Sequence, residues 1–142
     1  MKYLLDTDHI SFLQLRSGPE YTALAARMAL HPSSDFGFSV VSFHEQMIGA
    51  HTFLIRATAP NDLLRGYKLL LEILQGFSAG QVLPFDAPAL AIFNSLRSQR
   101  IRISTMDLRI ASIALSQSLI VLTRNLSDFG VVPGLPSEDW TK

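Results

Sequence analysis

The chain has 142 residues, with Lys+Arg 12 against Asp+Glu 12, 48% hydrophobic residues and 17% charged residues. This balance excludes a disordered or basic-tailed protein and a general electrostatic grip on nucleic acid, while leaving room for a local basic strip. No cysteine is present, which excludes disulfides and thiolate metal sites. A chain of this length reads as one domain, residues 1–142, able to bury roughly two-thirds of its unfolded surface. No stretch approaches the roughly 18 apolar residues of a membrane span, and the start lacks a charged leader with an apolar core. The expectation is a soluble cytoplasmic protein, part of whose apolar surface is covered by a partner.

In chain order, Tyr3-Leu4-Leu5 opens as a short buried strand and stops on Asp6 and Asp8, a turn signal. Gly18-Pro19 starts a helix over PEYTALAARMAL. A second strand is expected at Phe38–Val41, then a helix from Phe43 to Arg56 that stops before Pro60. Asn61 caps a helix ending near Gly76. Val82–Phe85 is the third strand, Asp86 caps the helix DAPALAIFNSLRSQR, Thr105 opens TMDLRIASIALSQS, and Leu119–Leu122 is the last strand. Continuous apolar strands alternating with helices predict an α/β fold, a three-layer α/β/α sandwich with a mainly parallel central sheet.

In such a sheet, residues just after a strand lie at its carboxyl edge, as does the start of a helix that feeds the next strand. Asp6 follows the first strand, Glu45 opens the helix after the second, Asp107 opens the helix feeding the last, and Asp128 follows that last strand. Four acids therefore converge on the edge where open α/β sheets bind ligands. Each also has a structural reading. Ser42–Glu45 and Ser104–Asp107 have capping-box spacing, and Asp6, Asp8 and Asp128 suit turns. The structural readings give no reason for all of them to share one edge. Clustered carboxylates raise each other's pKa, and Lys2, Lys68 and Lys142, the only lysines, are not placed to neutralise them. A magnesium or manganese ion suits an all-oxygen donor set, and with it phosphodiester chemistry.

Other constellations are weaker. His44-Glu45 resembles the start of a zinc-protease helix, but Ile48 stands where the second histidine is needed. His9, His31 and His51 read as ordinary helix residues, and no phosphate loop or dinucleotide fingerprint is present. Asp86 reads as a cap. Arg97, Arg100, Arg102 and Arg109 surround one helix–turn–helix junction and Arg124 follows the last strand. A basic rim beside the acids suits the phosphates of a nuclease substrate, with Arg109 and Arg124 as candidates for its contacts. Two rival functions remain: a receiver-like phosphoacceptor, which lacks its lysine here, and a catalytically silent binding module.

LLDTDHIS, SVVSFHEQMIG, TMDLRIASIAL and VLTRNLSDFGVVPGLPSEDW together resemble the successive motifs of PIN-domain ribonucleases, specifically VapC-type toxins of bacterial toxin–antitoxin pairs, over Met1–Trp140. The resemblance implies a magnesium- or manganese-dependent endoribonuclease that cleaves structured RNA and inhibits translation. It implies a homodimer, and a small cognate antitoxin that obstructs the active site. Asp6, Glu45, Asp107 and Asp128 match the family's acidic quartet, with Asp6 and Asp107 foremost as metal ligands, and Thr7, Thr123 and Asn125 match supporting positions. Glu138-Asp139-Trp140 becomes a structural end piece, with Trp140 packed on the domain. Two departures stand out. Asp8 takes a place often held by Asn, leaving its role open between supporting the first ligand and capping. Ser104 takes a place often held by Gly, which is tolerable only without a positive φ.

Overall fold

The computed structural model describes residues 1–142. Strand β1 (Tyr3–Leu5) leads into helices α1 (Thr7–Leu15) and α2 (Pro19–Met28). Strand β2 (Phe36–Ser39) leads into α3 (Val40–Arg56) and α4 (Pro60–Ser78). Strand β3 (Val82–Leu83) leads into α5 (Ala87–Ser98) and α6 (Thr105–Gln117). Strand β4 (Ile120–Leu122) is followed by the single-turn helix α7 (Leu126–Phe129) and strand β5 (Ser137–Glu138). All neighbouring strands are parallel, in the order β3-β2-β1-β4-β5. From β1 the chain builds outward to β2 and β3, then returns across the sheet to β4 and β5. The point where it reverses lies between β1 and β4, where open parallel sheets leave a crevice at their carboxyl ends.

Period-two alternation divides the core. Leu4 and Val121 face one side and join α5, α6 and α7 in a cluster of 15 buried residues. Leu5 and Leu122 face the other, with Ile10, Leu24, Ile73 and Phe77 from α1, α2 and α4. The result is the expected three-layer sandwich, with both sheet faces covered. No helix is long and apolar enough to cross a membrane.

Several boundaries differ from the sequence reading, each for a local reason. The Ser39 hydroxyl accepts the Ser42 N–H at 3.0 Å and caps α3. Val40 and Val41 therefore begin a helix, and β2 lies two residues earlier than expected. Capping has outweighed the strand preference of valine. Ser42–Glu45 is consequently not a capping box. Asp6 is not in a plain turn; it is the N-cap of α1, whose first turn holds Asp8. Helix α4 begins on Pro60, which occupies its first turn. Asp86 caps α5 as expected, accepting the Ala89 N–H at 3.2 Å. Ser104 caps α6 with φ −58°, so the residue there needs no glycine. His31 lies in a bend after α2 and stacks on Trp140 with ring centroids 5.4 Å apart.

Trp140 anchors the end of the chain. It is 2% exposed, lies 4.7 Å from Tyr3 and 5.8 Å from Phe36 between ring centroids, and carries the Arg27 guanidinium 4.6 Å over its ring. Trp140→Ala is expected to lower unfolding stability by about 3–5 kcal/mol, measured by urea denaturation. A loss below ~1 kcal/mol would show that the tail is not integral to the core.

Candidate active site

Asp6 stands where β1 ends. Its backbone N–H bonds the Leu122 carbonyl at 2.9 Å, tying it to the end of β4. The carboxylate accepts from the Thr7 N–H at 2.8 Å and from the Thr123 hydroxyl at 2.8 Å. Each oxygen thus keeps acceptor capacity in hand. Asp6 is only 6% exposed. Burial, with the negative charges of Asp8 and Asp107, pushes its carboxyl up to about 7, although the Thr123 and Thr7 bonds pull the other way.

Glu45 arrives from the second turn of α3, not from its opening. Thr7 donates its hydroxyl to Glu45 Oε1 at 2.9 Å and lies 3.0 Å from Ser42 Oγ, which in turn sits 3.3 Å from Ser39 Oγ. Burial raises the Glu45 carboxyl above the ordinary range and nearby Asp107 adds to this, against the Thr7 bond and His44. Asp107 occupies the first turn of α6 because Ser104 accepts its N–H at 3.1 Å. Its carboxyl is likewise raised by burial, then by Asp128 and Asp8, with Ser104 and Asn125 opposing. Asp128 lies in α7, where Asn125 donates Nδ2 to it at 3.0 Å and reaches Asp107 at 3.4 Å.

The fold therefore gathers Asp6, Glu45, Asp107 and Asp128 at the reversal point, and places Thr7, Thr123 and Asn125 among them as hydrogen-bond donors. Asp8 does not cap a helix. Its Oδ2 accepts the Arg124 N–H at 2.9 Å and lies 3.4 Å from Thr123 Oγ1. Arg124 meets the site through this backbone N–H, and its guanidinium lies 5.5 Å over Phe12. Arg109, two residues beyond Asp107 on α6, has its guanidinium 5.8 Å from the Phe93 ring and makes no hydrogen bond to the four acids. Three polar residues were not foreseen as parts of this region. Ser39 and Ser42 are fully buried under Thr7, and His9 is fully buried behind Asp8. The spacing of the serines was a usable signal, because a serine three residues before a helical amide is a cap.

The salt bridges at Arg27 and Lys68, and the close carboxylate contacts of His9 and His31, involve none of Asp6, Glu45, Asp107 and Asp128. A site of hard oxygen donors with raised pKa values and no salt-bridge partner fits a divalent cation in donor chemistry. No three acidic or histidine side chains form a ready-made cage.

No protein-family model matches the chain. Its similarity to individual proteins is extensive. It is 30% identical over 145 aligned positions to the tRNA(fMet)-specific endonuclease VapC of Salmonella typhimurium, spanning 99% of this chain and 98% of that protein. The fold matches the crystal structure of DNA-bound VapBC from Salmonella typhimurium with a TM-score of 0.77 and 26% identity, covering 99% of this chain and 98% of that one. It matches VapBC-1 from nontypeable Haemophilus influenzae with a TM-score of 0.76 and 25% identity, covering 100% of both chains. With sequence similarity along its whole length and the same arrangement of strands and helices, the chain belongs to the VapC family of PIN-domain endonucleases.

Proposed function

We propose that this protein is a magnesium- or manganese-dependent endoribonuclease and the toxin of a toxin–antitoxin pair. One observation carries the reading: four acids from separate segments meet at the β1/β4 crevice, three with raised pKa values and none in a salt bridge. Asp6 and Asp107 would hold the ion, with Asp128 and Glu45 completing the acidic surround. When bound, such an ion supplies an ionised water at neutral pH and stabilises charge on phosphoryl oxygens.

The chain's own groups complete the chemistry. Thr123 and the Thr7 N–H fix Asp6 and help it to ionise despite its burial. Asn125 holds Asp128 and Asp107 in one arrangement. Glu45 gives Oε1 to Thr7 and keeps Oε2 to accept a proton from the attacking water. Arg124, whose backbone adjoins Asp8, would supply a guanidinium to a phosphate of the substrate backbone. The relatives named for tRNA(fMet) direct the substrate reading to structured RNA, with initiator tRNA as the first candidate and arrest of translation as the outcome. Neighbours solved as VapBC complexes support a small antitoxin as the controlling partner, and we extend the reading to a second copy of the chain as a dimer partner.

The test is cleavage of initiator tRNA by purified protein freed of any bound partner. Cleavage is expected with added magnesium or manganese and is expected to cease in excess EDTA. Undiminished cleavage in EDTA would overturn the metal requirement, and intact RNA under all ionic conditions would overturn the nuclease reading.

A further inference from the structure

Behind the acids lies a polar group that the reading above leaves without a role. His9 is 0% exposed. Its Nε2 accepts the backbone N–H of Trp140 at 3.2 Å. That N–H can only donate, so Nε2 presents its lone pair and the ring hydrogen sits on Nδ1. Nδ1–H then donates to Asp8 Oδ1 at 2.7 Å, a short charge-assisted bond. Asp139 Oδ1, 3.8 Å from Nε2, is beyond hydrogen-bond range, and it already accepts from the Thr141 N–H and hydroxyl at 2.8 and 2.6 Å.

The other oxygen of Asp8 holds the exit of β4 through the Arg124 N–H at 2.9 Å. The residue before that amide is Thr123, whose hydroxyl donates to Asp6 at 2.8 Å and accepts the Asn125 N–H at 2.9 Å. A continuous line of bonds therefore runs from the tail backbone through His9 and Asp8 to the loop that carries Thr123, Asn125 and Asp128. Packing alone would be served by an apolar side chain, which has no buried polar groups to satisfy.

We propose that His9 is a positioning residue: by fixing the Asp8 carboxylate against the Arg124 amide, it sets the β4–α7 loop and hence the orientation of Thr123 on Asp6. The proposal rests on the endonuclease reading for its effect on rate, but not for its effect on the loop. Two substitutions separate the two ends of the imidazole. His9→Asn keeps a donor at the Nδ1 position and loses the acceptor for Trp140. His9→Gln keeps an acceptor at the Nε2 position and loses the donor to Asp8.

The expected result for His9→Gln is a roughly 10–100-fold fall in kcat for tRNA cleavage with KM little changed, at a melting temperature close to wild type. His9→Asn is expected to melt lower while retaining most of kcat. Independently of catalysis, hydrogen exchange at the Arg124 amide is expected to quicken in His9→Gln and not in His9→Asn. In the unaltered protein, ring-nitrogen NMR shifts are expected to report the Nδ1–H tautomer of His9, so the proposal stays testable even if a variant fails to fold. A kcat that simply follows melting temperature, equal Arg124 exchange in the two variants, or the Nε2–H tautomer would each overturn it. If the unaltered protein leaves RNA uncut, the endonuclease reading falls, while the exchange pattern still decides the role of His9.

Discussion

Asp107→Asn is expected to reduce RNA cleavage by roughly a thousandfold or more while raising the melting temperature of the metal-free protein at neutral pH. Asp107 is the acid whose charge raises both Asp6 and Glu45, and Asp128 and Asp8 raise it in turn after burial. An amide of the same shape keeps the N-terminal turn of α6, because the cap uses Ser104 and the backbone of residue 107 and not its carboxylate. It removes one proposed ligand, which accounts for the lost rate. It also removes like-charge repulsion, which accounts for the gain in stability. The two effects have opposite signs, so a cleavage assay and a thermal melt on one sample separate loss of chemistry from loss of fold. A variant that is both slow and less stable would show that Asp107 is structural. One that cleaves at the wild-type rate would remove it from the site.

The second expectation concerns pH. Asp6 titrates near 7 in the fold, against 3.8 for an ordinary aspartate, so between those values the folded protein binds more protons than the unfolded chain. Stability falls with rising pH wherever the native state binds the extra proton. The contribution from Asp6 is therefore fully present below the ordinary aspartate pKa and is lost by about pH 7, a change of about 4 kcal/mol for this group. Glu45 and Asp107 are raised as well and act in the same direction. Asp139 acts in the opposite direction. Burial pushes it up, but the Thr141 bonds, His9 and Lys142 hold it below the usual range, so its contribution disappears as the solution becomes strongly acid. In EDTA the melting temperature is thus expected to peak in the mildly acid range and to decline toward neutrality. Millimolar magnesium should recover the loss near pH 7 and do little near pH 5, since only the ionised acids bind it. A flat profile in EDTA, or no magnesium effect at any pH, would argue against a carboxylate cluster that needs a cation.

The gathering of the four acids was legible because strand–helix alternation dictates which residues reach the carboxyl edge, and Asp6, Glu45, Asp107 and Asp128 all occupy such positions. What hid from the sequence was structure without an apolar signature. Helix α1 follows the strand after a single residue, so Asp-Thr-Asp looked like a turn when Asp6 was a cap. Strand β5 has two polar residues, Ser137 and Glu138, at the sheet edge and is specified by its partner β4. Helix α7 is a single turn, too short for periodicity to reveal. The surroundings of Arg109 were hidden for a different reason. Its position in sequence is close to Asp107, but helical rotation over two residues carries it to the face that meets Phe93. The place of His9 was missed because one of its two hydrogen-bond partners is the Trp140 amide, a separation in sequence that no local pattern encodes.

The position of β1 between β2 and β4 also governs when the site exists during synthesis. A ribosome delivers Asp6 and Glu45 early, and these can settle on β1, β2 and α3. Asp6 obtains its bond from Thr123, and its own amide finds the Leu122 carbonyl, only when β4 has emerged. Asn125 and Asp128 come later still. A nascent chain therefore carries an incomplete acidic edge for most of its translation, and the four acids come together only when the returning strand inserts next to the first one made.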